Sequence, residues 1–247
     1  MRYNAQGSNT MIDKRPFKNL GGANHGWLNA KHHFSFASYY DPAKMGWGSI
    51  RVWNDDEIAA QSGFPPHPHD NMEIITYVRE GAITHEDSLG NKGRTEAGDV
   101  QVMSAGTGIR HAEYNVENVQ TTLFQIWVQP SERGHKPSWG AKPFPKADRS
   151  GKFVALASGF DNDADALKIH TPARLLGATL LKDQTETYTP VTAPDGESRH
   201  LYLVVARGKV EVNGVELDAR DGAAIKDEAT LNIKALEDAE VVLLDAA

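Results

Sequence analysis

The 247-residue chain contains no cysteine. Disulfide frameworks, thiolate nucleophiles and thiolate metal sites are therefore excluded, and any bound metal must take nitrogen and oxygen ligands. Long apolar runs are also missing, because no stretch approaches the ~20 apolar residues that span a bilayer. The polar segment Met1–Pro16 lacks the apolar region of a secretory signal. We therefore expect a cytoplasmic protein that has no membrane partner.

An excess of basic residues is equally absent. Lysine and arginine number 26 against 33 aspartates and glutamates, which gives a net charge of −7 without any block of like charge. Direct binding of nucleic acid, which requires a clustered basic surface, is not expected. Hydrophobic residues make up 40% of the chain, enough to form a buried core.

Sustained helical periodicity is also lacking, and short β-branched or alternating runs take its place. Candidate strands include 74–78, 100–103, 122–128, 201–205, 209–212, 215–217 and 241–244. Turn signals separate them, above all Asn213-Gly214, which predicts a type I′ hairpin, and Ser88-Leu89-Gly90-Asn91. We expect an all-β fold of sandwich or barrel type, with short helices near 161–167 or 172–176.

A proline-rich stretch and a faint repeat divide the chain in two. Residues 130–150 contain four prolines and two glycines among many charges, as a connection would. Arg79-Glu80-Gly81 is echoed by Ala206-Arg207-Gly208, as two units of one design would produce. We predict a flexible extension at 1–10, a metal-binding barrel at 11–130, a linker at 131–150 and a second barrel at 151–247.

Two short motifs carry the metal chemistry, His67-Pro68-His69 and His111-Ala112-Glu113. Residues two apart in a strand point to the same face, so each pair would converge on one point. On neighbouring strands they would surround one cation with three imidazoles and one carboxylate. Glu73 shares the parity of the first pair and is an alternative carboxylate, so spacing alone leaves Glu73 and Glu113 both open.

These motifs resemble those of a known family. The segment from Gly63 to Gly81 is similar to the first cupin motif, and the segment from Gly98 to Asn115 is similar to the second. Their wording resembles the pirins, a branch of the cupins. Further pirin-like phrases are Ala23-Asn24-His25-Gly26-Trp27, Phe34-Ser35-Phe36-Ala37, Tyr39-Tyr40-Asp41-Pro42 and Asn54-Asp55-Asp56. The resemblance covers about residues 12 to 247.

The resemblance implies a bicupin, that is, two similar antiparallel barrels of jelly-roll type with one metal in the N-terminal barrel. It implies His67, His69, His111 and Glu113 as ligands, with Glu73 moved to a supporting position. Aligning the repeats places Pro194 and Gly196 where His67 and His69 stand, so the second barrel would lack a site. His85 is expected to be structural.

The implied metal is Fe(II), with Mn, Ni, Co, Cu and Zn as alternatives that nitrogen and oxygen ligands tolerate. Some bacterial pirins are described as quercetin 2,3-dioxygenases, which implies a flavonol and O₂ as substrates and Glu113 as the catalytic base. The alternative function is an iron-dependent redox sensor that binds a protein partner. Absence of flavonol turnover with several metals would favour that regulator.

Overall fold

The computed structural model describes residues 2–3, 9–193 and 196–247. The described residues contain three helices, all short 3-10 turns, at Phe17–Asn19, Pro42–Lys44 and Lys146–Arg149. None of these described helices is long and apolar enough to traverse a bilayer. The strands in chain order are β1 (Arg2–Tyr3), β2 (Asn9–Arg15), β3 (Gly21–Asn24), β4 (Leu28–His32), β5 (Ile50–Ile58), β6 (Ser62–His69), β7 (Glu73–Glu80), β8 (Ala82–Asp87), β9 (Lys92–Glu96), β10 (Val100–Ser104), β11 (Ile109–Asn115), β12 (Thr121–Val128), β13 (Ser138–Lys142), β14 (Val154–Ser158), β15 (Leu167–Lys168), β16 (Arg174–Leu180), β17 (Thr185–Tyr188), β18 (His200–Arg207), β19 (Val210–Val212), β20 (Val215–Leu217), β21 (Gly222–Lys226), β22 (Leu231–Ala235) and β23 (Ala239–Ala246).

The chain divides into two units. The N-terminal unit comprises Gly21–Pro145 and Ala157–Pro172, and the C-terminal unit comprises the described residues within 1–20, 146–156 and 173–247. Each unit contains a large and a small sheet built mainly from antiparallel strand pairs, with a parallel pair between β14 and β15. The predicted all-β antiparallel fold is confirmed.

In the N-terminal unit, the large sheet has the order β13-β10-β7-β12-β5-β4-β3 and the small sheet the order β6-β11-β8-β9. Alternate residues of these strands turn apolar side chains into the space between the sheets. Val78 and Leu123 of the large sheet pack there with Ile83 of the small one, and Phe64 lies against them. A second cluster joins Ile74, Met103 and Ile109. The small sheet therefore holds its side chains over the large one, which is what builds the site.

The C-terminal unit repeats this plan. Strands β1-β2-β21-β18-β23-β16 lie in order in its large sheet, and β17-β22-β19-β20 form its small one. The apolar core between them includes Leu203 and Leu243 opposite Val210 and Ile233. The unit also buries a polar group that is fully paired, since Arg199 Nε and Tyr188 Oη both donate to the carboxylate of Asp245 at 2.6 Å.

Both predicted hairpins are confirmed. Asn213 and Gly214 have φ values of 45° and 84°, as a type I′ turn requires, and Val212 pairs with Val215. Gly90, with φ of 88°, closes the turn between β8 and β9. The prediction of short helices at 161–167 or 172–176 is wrong, because the first segment is a turn leading into β15 and the second runs into β16. Apolar spacing over so few residues does not separate a helical turn from a strand.

The structure draws the unit boundaries differently from the sequence prediction. Strand β2 pairs with β21, so residues 11–20 belong to the C-terminal unit. Residues 157–172 belong to the N-terminal unit, and the predicted linker contains β13, which pairs with β10. Of the predicted extension, residues 1 and 4–8 lie outside the described residues, while β1 pairs with β2. A strand pattern in the sequence indicates that a segment pairs with another strand, but it does not indicate which strand that is.

Candidate metal centre

The two sequence motifs lie on neighbouring strands of the small N-terminal sheet. Strand β6 pairs with β11 in a register that places His67 directly opposite His111 and His69 opposite Ile109. The register shifts between His111 and Glu113, so that Pro65 and Pro66 together oppose Ala112. Such a bulge fits the prolines, which cannot donate to a ladder, and it changes the direction of the following side chains.

Three imidazoles converge as the spacing predicts. The ligand nitrogens of His67, His69 and His111 all lie within 4.8 Å of one another, and they are the described residues that form such a group. The His111 side chain is buried, while His67 and His69 are half-buried, so the cluster is reached from the side of β6. The rings stand at steep angles to one another, with His67 and His69 centroids 4.8 Å apart at 80°.

The closest contact within the cluster fits a bound cation. His67 Nδ1 lies 2.7 Å from the carbonyl oxygen of Pro65, which can only accept a hydrogen bond, so Nδ1 carries the proton. The lone pair of His67 is therefore on Nε2, and that atom lies 3.0 Å from Nε2 of His111. Two nitrogens bound at right angles to one ion, each at about 2.1 Å, would lie about 3.0 Å apart. The donor set and its spacing thus fit a divalent metal.

Burial lowers the pKa of two of these imidazoles, His69 and His111. Burial and the neighbouring His111 and His67 lower the pKa of His69 from 6.5 to about 4. Burial, followed by His67 and His85, lowers the pKa of His111 to about 3. Because a metal binds only the unprotonated nitrogen, both side chains are ready to act as ligands at neutral pH.

Glu113 lines the same cavity, but its carboxylate stands outside the tight group of three nitrogens. Oε1 accepts a hydrogen bond of 2.8 Å from Nε2 of Gln101, and Oε2 accepts one of 2.9 Å from Nε2 of Gln125. Thr76 Oγ1 also donates to Oε1 at 3.3 Å. Hydrogen bonds to both oxygens hold the buried carboxylate in a fixed orientation.

Glu73 lies elsewhere. It accepts a hydrogen bond from Ser104 Oγ, and its Oε1 lies 3.3 Å from His170 Nδ1. The parity argument that made it an alternative ligand fails because the turn at Asp70–Met72, with Asn71 at φ of 43°, separates β6 from β7 and resets the alternation. The expectation that Glu73 supports a ligand is also wrong, since its partners are not ligands.

A supporting pair that the sequence reasoning missed is His85 and Asp87 on β8. His85 was expected to be structural, yet its Nδ1 lies 3.4 Å from Nδ1 of His111 and its Nε2 lies 2.8 Å from Oδ2 of Asp87. Desolvation alone would raise the pKa of Asp87, but hydrogen bonds from His85 and Asn91 hold it below its ordinary value. The signal was present, because His85-x-Asp87 has the same two-residue spacing as the ligand motifs.

The cluster opens onto a cavity of about 370 Å³ between the two sheets of the unit. This volume lies at the small end of the range of about 300–1,000 Å³ for small-molecule sites. The walls are mostly apolar and aromatic, and they include Leu28, Ala30, Phe36, Phe64, Ile74 and Trp127. The Trp127 ring stands edge-on to His69 at 5.0 Å, so an occupant of the cavity would lie beside the imidazoles.

A few polar groups interrupt this apolar lining. His32 Nδ1 lies 2.8 Å from Oδ1 of Asn54, and burial lowers the pKa of His32. Asp56 is only 2% exposed, and burial, reinforced by the charges of Asp55 and Glu113, raises its pKa well above 3.8. Burial thus disfavours charge on both of these polar groups in the cavity wall, as suits a neutral organic ligand.

The C-terminal unit shows no comparable cluster of metal-ligating side chains in its described residues. Of the two residues that the repeat aligns with His67 and His69, Gly196 offers no ligand and Pro194 lies outside the described residues.

Two family models and several known proteins match this chain. Residues 13–128 match the family model described as Pirin, and residues 155–246 match the model described as Quercetinase C-terminal cupin domain. A pirin-like protein of Caulobacter vibrioides is 70% identical over 96% of this chain and 100% of its own length. A quercetin 2,3-dioxygenase of Escherichia coli is 44% identical over 95% of this chain and 98% of its own.

A solved structure also has a similar fold. The crystal structure of the bacterial pirin YhhW of Escherichia coli in complex with nickel(II) is 43% identical, with a TM-score of 0.88 over 96% of this chain and 99% of that chain. The predictions of two cupin units and of the family are confirmed.

Proposed function

The chain belongs to the pirin family, and on that premise we propose that it is a metal-dependent dioxygenase that opens the central ring of flavonols such as quercetin and releases carbon monoxide. The observation that carries this proposal is that three converging imidazoles and a buried carboxylate line a mostly apolar cavity of about 370 Å³. The name of the 44% identical relative supports the choice of substrate.

We propose that His67, His69, His111 and Glu113 hold the metal. Nitrogen and oxygen ligands with open coordination positions suit Fe(II), and Mn, Ni, Co, Cu and Zn are alternatives. The nickel found in the solved pirin supports a divalent first-row ion at this position. When bound, such an ion supplies Lewis acidity toward a hydroxyl oxygen and redox chemistry with O₂.

Glu113 is the residue proposed to take the proton of the flavonol 3-hydroxyl. Its Oε2 accepts one hydrogen bond, from Gln125, which leaves a second acceptor position on that oxygen. Gln101 and Gln125 hold the carboxylate on both sides, so that it cannot turn away from the cavity. A base that is already oriented loses little entropy when it takes the proton.

The apolar walls complete the proposed reaction site. Phe36, Phe64 and Trp127 present ring faces and edges to the cavity, which suits a flat aromatic ligand. Their surface also excludes water, which strengthens the electrostatic effect of Glu113 on a bound hydroxyl. The C-terminal unit, filled by apolar side chains, is proposed to serve structure alone.

The test is flavonol turnover by the full chain after reconstitution with Fe(II) under anaerobic conditions. Admission of O₂ to protein and quercetin should cause loss of the flavonol absorbance together with release of one CO per flavonol consumed. Quercetin incubated with the same concentration of free Fe(II), and with a H67A/H69A variant treated in the same way, gives the background oxidation.

Loss of flavonol absorbance and release of CO together test the proposal. Turnover well above both backgrounds, with stoichiometric CO, is the expected result. Loss of absorbance without CO would indicate another oxidation, and absence of turnover with Fe(II), Mn, Ni, Co, Cu and Zn in turn would overturn the proposed activity.

A further inference from the structure

A row of side chains connects the proposed metal cluster to a buried carboxylate on β8. His111 Nε2 faces His67 at 3.0 Å, while Nδ1 on the other side of the ring lies 3.4 Å from Nδ1 of His85. His85 Nε2 in turn lies 2.8 Å from Oδ2 of Asp87. The pairing of β8 with β11 places Asp87 directly opposite His111, and the side chains of His85 and Asp87 are both fully buried.

The polarity of this row can be read from its Asp87 end. The backbone N–H groups of Leu89 and Asn91 donate to Oδ1 at 2.9 and 3.1 Å. The side-chain amide of Asn91 donates to Oδ2 at 2.9 Å. Donors on both oxygens favour the ionised carboxylate, which can only accept. His85 must therefore donate from Nε2, and the tautomer with this single ring proton has its lone pair on Nδ1.

The acceptor at Nδ1 of His85 also determines which nitrogen of His111 carries the proton. Since Nδ1 of His85 accepts, Nδ1 of His111 must donate, which leaves the lone pair of His111 on Nε2. His67 independently carries its lone pair on Nε2, because its Nδ1 donates to the carbonyl of Pro65. Two lone pairs face each other over 3.0 Å, an arrangement that is favourable only with a cation between them.

The orientation of His85 is itself fixed by packing. Its ring stacks on Trp139 with centroids 4.8 Å apart and planes inclined by 7°. Trp139 reaches this position across Gly93, where a Cβ would lie 2.3 Å from the indole ring. Rotation of the His85 ring, which would break the row, is therefore opposed by a large aromatic contact.

We propose that His85 and Asp87 are positioning residues that hold His111 in the tautomer with the proton on Nδ1, so that Nε2 is its metal-binding atom. This inference rests on the metal site of the proposed function but requires no assumption about the organic substrate. It assigns a purpose to the His85-x-Asp87 pair, because an oriented hydrogen bond to the distal nitrogen of a ligating histidine fixes its ring and raises its basicity.

The direct test is nitrogen NMR of the metal-free full chain labelled with ¹⁵N-histidine at neutral pH. We expect His111 with its proton on Nδ1 and His85 with its proton on Nε2, and a D87N variant in which this preference is weakened at both rings. A spectrum in which His111 carries its proton on Nε2 would overturn the inference, since His85 would then donate toward His111.

Metal affinity gives a second test that does not involve turnover. Competition between the protein and a chelator for Ni(II) should show binding about 10- to 100-fold weaker in H85F, which keeps the stack on Trp139 but loses both hydrogen bonds. H85Q should recover part of the loss, because its amide can accept from His111. H200F, a matched change in the C-terminal unit, should bind nickel as the wild type does.

The outcomes separate this inference from the proposed function. Nickel affinity of H85F within twofold of the wild type would overturn the positioning role, whatever the flavonol assay shows. The expected tautomers and affinities together with absent flavonol turnover would leave the inference standing and remove the dioxygenase. Should H85F not fold, the wild-type NMR spectrum and the D87N variant still decide the question.

Discussion

Replacement of Glu113 by glutamine changes one carboxylate oxygen into an amide group at the centre of a buried hydrogen-bond network. In the wild type, Gln101 and Gln125 donate to the two oxygens at 2.8 and 2.9 Å. In E113Q, one of these donors faces an NH₂ group that cannot accept. Turning the Gln101 amide would give up the bond of 3.1 Å that its oxygen accepts from Thr95. Turning Gln125 costs less, because its Oε1 shares the single hydrogen of Thr76 Oγ1, 3.3 Å away, with Oε1 of Glu113.

The cost in stability follows from these contacts. A hydrogen bond to a charged group contributes about 1.5–3 kcal/mol, and a neutral one about 1 kcal/mol. Because Gln125 can turn and restore a neutral bond, two charged bonds become two neutral ones, and the net loss for E113Q is expected to be about 1–4 kcal/mol. For a chain of this size that corresponds to a fall in Tm of about 2–16 °C.

A second exchange separates stability from chemistry. The double variant E113Q/Q125E restores one carboxylate, which can accept from the amide introduced at position 113, but the negative charge now stands on β12 instead of β11. We expect its Tm to lie between those of E113Q and the wild type, because one of the two charged hydrogen bonds between carboxylate and amide groups is restored. Flavonol turnover should stay abolished in both variants, since neither places a carboxylate at position 113 to take the proton.

Thermal unfolding followed by circular dichroism, nickel content after dialysis and the flavonol assay measure the three quantities on the same preparations. Much of the metal should stay bound in E113Q, because the three imidazoles are unchanged. Full turnover by E113Q would refute the role of Glu113. Full turnover by the double variant alone would show that a carboxylate anywhere in the network suffices, and would refute the assignment to this position.

Three further predictions concern the cluster and the strands that carry it. Nickel at 100 times its Kd should stabilise the wild type by about 2.7 kcal/mol and raise Tm by about 5–11 °C, whereas H111A should show no rise; equal rises would contradict the ligand assignment. In the metal-free protein, the pKa of His69 is about 4 against 6.5 for the free side chain. The unfolded chain therefore binds more protons between these values, and the free energy of unfolding should fall as the pH drops from about 6.5 to about 4. In urea titrations H69Q should show a shallower fall, and an unchanged slope would speak against the shift. In G63A a Cβ would lie 2.3 Å from the carbonyl oxygen of Glu113, so that β6 and β11 must separate; Tm and nickel affinity should both fall. G140A, whose Cβ meets nothing nearer than 3.6 Å, should match the wild type, and equal nickel affinity in the two glycine variants would count against the close packing of these strands.

Local rules were sufficient for the parts of the site that lie within one strand. The two-residue period of a strand places His67 and His69 on one face, and this convergence is found in the structure. The same period would have indicated His85 and Asp87, had it been applied to β8. The positive φ values demanded by Asn213-Gly214 likewise require no information beyond the turn itself.

Contacts between different strands could not be predicted from the two-residue period of a single strand. Parity did not carry from His69 to Glu73, because the intervening turn resets the alternation. The bulge opposite Ala112, and the donors Gln101 and Gln125 on β10 and β12, depend on how strands from distant parts of the chain align. The sequence did not indicate which unit contains strand β2, and the structure shows that β2 pairs with β21 of the C-terminal unit.

The sequence by itself thus determined the strands, the hairpins and the presence of three imidazoles able to share a cation, because each depends on residues at most a few positions apart. Only the tertiary structure decided what holds the carboxylate of Glu113, which nitrogen of His111 faces His67, and which side chains form the cavity wall. Those features depend on distances between strands, and such distances are set by the packing of both sheets around a common core.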